Sequence, residues 1–302
     1  MEQNQIETVD KLFIDKYRKT LLDTFKTAIR FLDENKIKYF VGNGSLIGTV
    51  RHQGMIPWDD DIDIYVIRED YNRLLKLKDE ISAYGLNIAS INDKNYNQHF
   101  AKIVNDNTTV LQNEYSKCIT GVWIDVFPLD YTDLGVQKLT KKHSEFSRTF
   151  YRYADTLVDY SIGFFLKPLI SCEWKIFAQR LVSLVVYRPQ RKRLFKKYKE
   201  LERQLEKTSG VNLFSATETG TYVFASEWFA NSLKMPFEDF EVDVPIGYKE
   251  YLRNLYGNYM VLPPVEKRSS DHTFFYVNLL EKLDEKELKK RIKQGERRKI
   301  DF

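Results

Sequence analysis

Apolar side chains recur at Phe13, Tyr17, Leu21, Phe25, Ile29 and Leu32, a spacing that predicts a long amphipathic helix over 10–35. The run K-Y-F-V at 38–41 predicts a short strand, followed by a G-N-G-S turn at 42–45 from which a second helix opens over 46–52. The β-branched and aromatic run I-D-I-Y-V-I predicts a strand over 62–67, and a helical pattern follows over 68–84. Short strands are expected at 86–91, 100–104, 108–111 and 122–127, with Pro128 ending the last. From 134 to 204 the pattern is mostly helical. Strand-like pieces return at 221–225 and 240–244, a helix starts near Gly247, a turn follows at Pro263 and Pro264, and a charged helix or tail runs from Glu281. Strands mixed with helices, then a helical block, predict an α/β (α+β) fold: a mixed sheet flanked by helices and carrying a helical insertion. The expected divisions are a core at 1–133, a mostly helical and partly basic insertion at 134–215, and a segment at 216–302 that completes the active site.

Composition narrows the class. A chain of 302 residues, 43% hydrophobic, suffices for one large domain or a domain with a sizeable insertion. The net charge of +4 is spread among many charges of both signs, so no nucleic-acid partner is expected. The polar opening M-E-Q-N-Q-I-E-T-V-D-K predicts no secretory leader, and Cys118 and Cys172 are therefore expected to be free cytoplasmic thiols. Neither belongs to a C-x-x-C pair, so structural zinc is not indicated. The most apolar region, 162–187, is interrupted by Lys167, Pro168, Glu173, Lys175 and Arg180 and is not expected to span a bilayer. Nine Lys/Arg stand against three Glu between 187 and 207, directly after that region. Such a block is either a solvated helix face or a contact with an anionic membrane.

The stretch I-P-W-D-D-D-I-D-I-Y-V at 56–66 runs aspartates into a strand. Acidic residues are poor strand formers and costly to bury without partners. Alternation resolves the conflict: Ile62 and Ile64 share one face for the core, while Asp61 and Asp63 share the other. Two carboxylates that close repel each other, and a divalent cation relieves the repulsion; Mg²⁺, or Mn²⁺, suits a pair of carboxylates together with substrate phosphates. A third carboxylate, Asp125 in W-I-D-V-F, stands in a second strand among apolar neighbours and completes a metal triad. Gly44 and Ser45, at the strand-to-helix turn, offer close backbone approach and a hydroxyl to a phosphate, although the same composition also makes a plain connection. Asp59 is either a supporting carboxylate on the same face or a cap or loop ion pair.

A glycine-serine turn, a helix, an Asp-x-Asp strand and a later single Asp, in that order, resemble the nucleotidyltransferase fold of the polymerase-beta type. Here 15 residues, 46–60, separate Ser45 from Asp61, more than is usual in that superfamily. The insert itself is distinctive. G-N-G-S-L-I-G-T-V-R-H-Q-G-M-I-P-W-D-D-D-I-D-I closely resembles the signature of the LicD family, and the likeness continues in W-I-D-V-F-P-L-D at 123–130 and V-P-I-G-Y-K-E-Y-L-R-N-L-Y-G-N-Y-M-V-L-P-P-V-E-K-R at 244–268.

The resemblance implies a phosphotransferase that moves a phospho-alcohol from a CDP carrier to a hydroxyl of a cell-surface glycan or teichoic acid precursor, releasing CMP. CDP-choline is the favoured donor, with CDP-ribitol, CDP-glycerol or an ethanolamine-like donor open. A conventional nucleotidyltransferase adding NMP to a small acceptor is the rival within enzymes. Asp61 and Asp63 would hold the metal on the donor's pyrophosphate, and Asp125 would ligate a second metal or accept the acceptor's proton. Arg51 suits a phosphate oxygen through its forked donors, with His52 beside it in the same block. Lys102, Lys267 and Arg268 are further candidates for the diphosphate, although a single lysine such as Lys102 is more readily a solvated surface residue, and His272 either orients them or is a loop residue. Trp58 is expected to pack. Choline would need aromatic faces, for which Tyr65, Trp123, Tyr131, Tyr248 and Tyr256 are available. A lipid-linked glycan acceptor would place the protein in the cytoplasm, peripheral at the inner face of the cell membrane.

Overall fold

Tyr17, Leu21, Phe25, Ala28 and Leu32 form one buried stripe along helix α1 (Glu2–Glu34), which crosses the central sheet in the computed structural model. That structure describes residues 2–206, 210–215, 222–269, 273–296 and 300–301. The chain then forms β1 (Tyr39–Val41), α2 (Asn43–His52), β2 (Asp63–Ile67), the short helices α3 (Arg68–Leu74) and α4 (Lys78–Ile81), β3 (Leu86–Ala89), β4 (Ala101–Asn105), β5 (Thr109–Leu111) and β6 (Trp123–Thr132). The 68–84 segment expected as one helix is thus two short helices and a 3₁₀ turn at Ser82–Tyr84.

The sheet order is β1-β2-β6-β4-β3, with β2 and β6 parallel and the other neighbours antiparallel. Four helices follow β6: α5 (Val136–Ala154), α6 (Ile162–Ile170), α7 (Trp174–Val182) and α8 (Arg191–Leu205). The chain then rejoins the same sheet through β7 (Asn212–Phe214), which pairs with the far half of β6 and with β8 (Val223–Ala225). The first residues of the strand expected at 221–225 fall partly outside the described residues. Helices α5 and α8 pack on each other through Phe146, Phe150 and Tyr198, a core separate from that of the sheet. The hairpin β9 (Ser232–Phe237) and β10 (Phe240–Pro245), helix α9 (Tyr248–Tyr256) and α10 (Glu285–Lys293) complete the fold together with the short pairs β12–β5 and β11–β13, in which β11 is Thr273–Phe274, β12 Tyr276–Asn278 and β13 Ile300–Asp301.

Two further sequence expectations are corrected. Pro128 does not end its strand: β6 continues to Thr132. Asp125 donates its N–H to Ile62 O at 2.9 Å, and alternation turns the nitrogen at 128 to the opposite side of β6. There β4 has already ended at its Ala101–Val126 pair and β7 begins only at Asp130, so the missing N–H of proline leaves no acceptor waiting. The second correction concerns 42–45. Gly42 is the cap and Asn43 to Ser45 are the first turn of α2, because Asn43, at φ 45°, is held there by its side chain. Its Oδ1 accepts from the hydroxyls of Tyr65 at 2.8 Å and Tyr251 at 3.0 Å.

Candidate active site

The carboxylates come together because β2 and β6 run parallel with Asp63 opposite Asp125. Ile62 and Ile64 are fully buried while Asp61 and Asp63 are half-buried on the other face, as alternation requires. One oxygen of each of Asp61, Asp63 and Asp125 lies within 4.8 Å of the other two, a group able to hold a metal ion. Asp59, Asp60 and Asp61 form a second such group, so Asp61 is common to both.

Helix α2 is seated directly on this strand start. Gly42 N–H donates to Asp63 O at 3.0 Å, and Asp63 N–H donates to Ser45 Oγ at 2.9 Å. Ser45 is therefore buried and anchors the acidic strand through one lone pair, with its own O–H still a donor. A Cβ at Gly44 would fall 3.0 Å from Asp59 Oδ2, so glycine permits the Asp59 carboxylate to approach the helix N-terminus. Asp59 Oδ1 also accepts the Asp60 N–H at 3.2 Å, which places Asp59 in the loop before the strand.

That loop is clasped from two sides. Arg18 on α1 donates to the carbonyls of Ile56, at 2.9 Å, and Pro57. At the tip of the β9–β10 hairpin, Glu238 accepts the Met55 N–H at 3.0 Å and donates its own N–H to Gln53 O at 2.7 Å. Beneath the acids sits Tyr17 of α1. Burial, and after it the charges of Asp60, Asp61 and Asp125, push its phenol well above the ordinary range. Tyr17 thus stays protonated beside the acids. Tyr17, Arg18 and Glu238 were not singled out from sequence; Tyr17 belongs to the apolar stripe of its helix, and the other two act at separations of 38 and 183 residues.

Lys102 is not a solvated surface lysine. It is 3% exposed, pairs across β4–β6 with Asp125, itself 6% exposed, and sets Nζ 2.5 Å from Oδ1. The ammonium also stands 3.9 Å from the Trp123 ring centroid. A lysine in the strand A-K-I-V beside an aspartate in W-I-D-V is the signal that would have paired them.

Arg51 and Arg268 form a cationic corner at the far end of α2, with His52 beside Arg51. Arg51 Nε donates to His52 Nε2 at 2.9 Å, and its Nη1 donates to Tyr259 O at 2.9 Å. Arg268 donates to Pro263 O at 2.9 Å and lies 5.4 Å from the Trp58 ring centroid. Burial and then the Arg268 charge lower the pKa of Arg51; burial and then the Arg51 charge lower that of His52. Two guanidiniums held at one corner present a place for an anion. Lys267 is exposed on the adjoining turn, and His272 lies outside the described residues.

The five candidate aromatics are dispersed. Tyr65 and Trp123 are buried in the main core, Tyr131 and Tyr248 pack half-buried against it, and Tyr256 is exposed. A further buried pair, unremarked in the sequence, joins Arg68 to Asp130 through two hydrogen bonds of 2.8 Å, with Glu206 at 3.3 Å. It ties the start of α3 to β6 where α5–α8 leave the sheet.

Residues 36–164 match the family model described as LicD/FKTN/FKRP, nucleotidyltransferase domain. The chain is 26% identical over 253 residues to the lipopolysaccharide cholinephosphotransferase LicD of Haemophilus influenzae, covering 78% of this chain and 87% of that protein. It is 32% identical over 60 residues to the human ribitol 5-phosphate transferase FKRP, which covers 20% of this chain and 12% of that protein. An uncharacterized protein of Rickettsia prowazekii, RP689, is 37% identical over 70 residues, 23% of this chain and 26% of that protein.

Proposed function

We propose that this chain, whose residues 36–164 match the LicD family model and which resembles a LicD cholinephosphotransferase over most of its length, is a phosphotransferase of that family that moves phosphocholine from CDP-choline to a hydroxyl of a cell-surface glycan or teichoic acid precursor and releases CMP. The observation that carries the reading is the Asp61–Asp63–Asp125 group, whose oxygens converge within 4.8 Å, Asp63 and Asp125 paired on adjacent parallel strands and Asp61 just before β2. An all-carboxylate donor set fits a hard divalent cation, Mg²⁺ or Mn²⁺. Bound there, such a cation supplies positive charge to the diphosphate of the donor.

The chain's own residues do the rest. Phosphoryl-type transfer depends on alignment and charge compensation more than on covalent catalysis. Ser45 fixes the start of β2 and can direct its O–H to a phosphate oxygen, close to the N-terminus of α2. Arg51 and Arg268 offer forked donors to the diphosphate, with Lys267 on the adjoining turn. Asp125 already accepts the Lys102 ammonium on Oδ1, so in this reading it serves as a ligand and not as the base. Lys102 in turn is a positioning residue and not a contact to phosphate. The reaction belongs to the cytoplasmic side of the cell membrane, with a lipid-linked glycan as the acceptor.

Thermal-shift titration with CDP-choline, CDP-ribitol, CDP-glycerol and nucleoside triphosphates, each with Mg²⁺, tests the donor. The largest stabilisation is expected from CDP-choline. A preference for CDP-ribitol would change the cargo and leave the chemistry, whereas preference for a triphosphate over every CDP-alcohol would replace the reading with nucleotidyl transfer.

A further inference from the structure

The apolar faces of α5 and α8 are covered by each other, whereas α6 and α7 touch each other and pack on Tyr115 and Tyr160 through Phe164, which leaves most of their apolar residues exposed. Helix α6 buries only Phe164 and Pro168, and α7 buries no residue at all. The π-helical turn Ser183–Tyr187 follows α7 directly and exposes Val185 and Val186. Ile170 is 77% exposed and Trp174 62%, and Ile162, Leu181 and Val185 are exposed as well. Isolated apolar residues are ordinary on a surface, but a helix of nine residues with none buried is an apolar segment without a core.

The charges in this region point to what covers it. Between 162 and 193 the chain carries seven Lys/Arg and one acid, Glu173. Lys175, Lys192 and Arg193 are exposed. A second copy docking by the same face would set these cations against their own images, which like-charge repulsion opposes. An anionic phospholipid surface meets both halves of the pattern: its interface takes the aliphatic and indole side chains, and its headgroups neutralise the lysines and arginines. No helix among the described residues is long and apolar enough to cross a membrane, so the contact is with one leaflet only.

We propose that α6, α7 and the 183–187 turn bed into the interface of an anionic phospholipid leaflet, with the basic start of α8 on the headgroups. The surface lies outside the acidic cluster, and vesicle binding requires no turnover, so its failure is distinguishable from failure of the transfer reading.

The test is co-flotation of the full chain with vesicles of equimolar phosphatidylglycerol and phosphatidylcholine, against pure phosphatidylcholine. Binding is expected to the anionic vesicles at low salt and is expected to weaken at roughly 0.5 M salt. The double variant Ile170→Asp with Trp174→Ser should lose roughly tenfold or more in partitioning, since binding scales with the apolar area inserted. Both side chains are exposed, so an unchanged melting temperature certifies the fold. Lys192→Glu with Arg193→Glu should lose the anionic preference. Three results would each overturn the proposal: no flotation with anionic vesicles at low salt, wild-type flotation of the apolar double variant, or a solution dimer that Ile170→Asp converts to monomer.

Discussion

Lys102 and Asp125 face each other across the β4–β6 ladder, Nζ to Oδ1 at 2.5 Å, so the most buried carboxylate of the Asp61–Asp63–Asp125 group already holds one cation. Removing a buried partner leaves an uncompensated charge, at a cost of roughly 3–5 kcal/mol. Lys102→Met should lose stability of that order in urea unfolding. Added Mn²⁺ should restore more stability to the variant than it adds to wild type, because the cation then supplies the missing countercharge. Equal Mn²⁺ responses would separate Lys102 from the metal site.

Arg68 and Asp130 provide the contrast. Their bidentate pair is as buried as Lys102–Asp125, but it belongs to the junction between the sheet and the helical block. Asp130→Asn should cost roughly 3 kcal/mol or more while the Mn²⁺-dependent stabilisation stays as in wild type. A lost metal response in a folded Asp130→Asn would show that this pair, too, supports the site.

Gly42 closes against the ring of Tyr65. A Cβ there would lie 2.5 Å from two ring carbons, and the ring is locked in the core with its hydroxyl on Asn43. Gly42→Ala should therefore cost roughly 1–3 kcal/mol through overpacking. It should also disturb the Asn43 bonds that shape the start of α2. Differential scanning calorimetry reads the first effect, and an unchanged melting temperature would contradict it.

The pH response near neutrality should carry a His52 component. His52 accepts Arg51 Nε–H on its own Nε2, and burial together with the Arg51 charge holds its pKa below the ordinary 6.5. The folded state then binds fewer protons than the unfolded state between the folded value and 6.5, so stability falls as pH is lowered through that window. Urea midpoints at about pH 8 and about pH 5 should differ less in His52→Gln than in wild type. A larger difference in the variant would reverse the sign assigned here.

Much of the scaffold is legible in the sequence because it depends on local periodicity. The stripe of α1 and the division of 61–64 into an isoleucine face and an aspartate face both follow from spacing alone. So does the nearness of Asp125, once W-I-D-V-F is taken as a neighbouring strand. What stayed hidden depends on partners far along the chain. Lys102 looks solvated until β4 is placed against β6, and Pro128 looks like a strand end until β4 and β7 are known to divide one edge of β6 between them. Asn43 looks like a turn residue because its hold on the helix start comes from Tyr65 and Tyr251, the latter more than two hundred residues away. Arg18 and Glu238, which fix the acidic loop, carry no local signal at all.

The most direct measurement is CMP release from CDP-choline in the presence of a glycan acceptor, with Mg²⁺ and with EDTA, for wild type and for Asp63→Asn. Wild type should release CMP only when the cation is present, and a folded Asp63→Asn should fall to background under both conditions. Wild-type release by Asp63→Asn, or release undiminished by EDTA, would contradict a metal-dependent transfer at Asp61, Asp63 and Asp125.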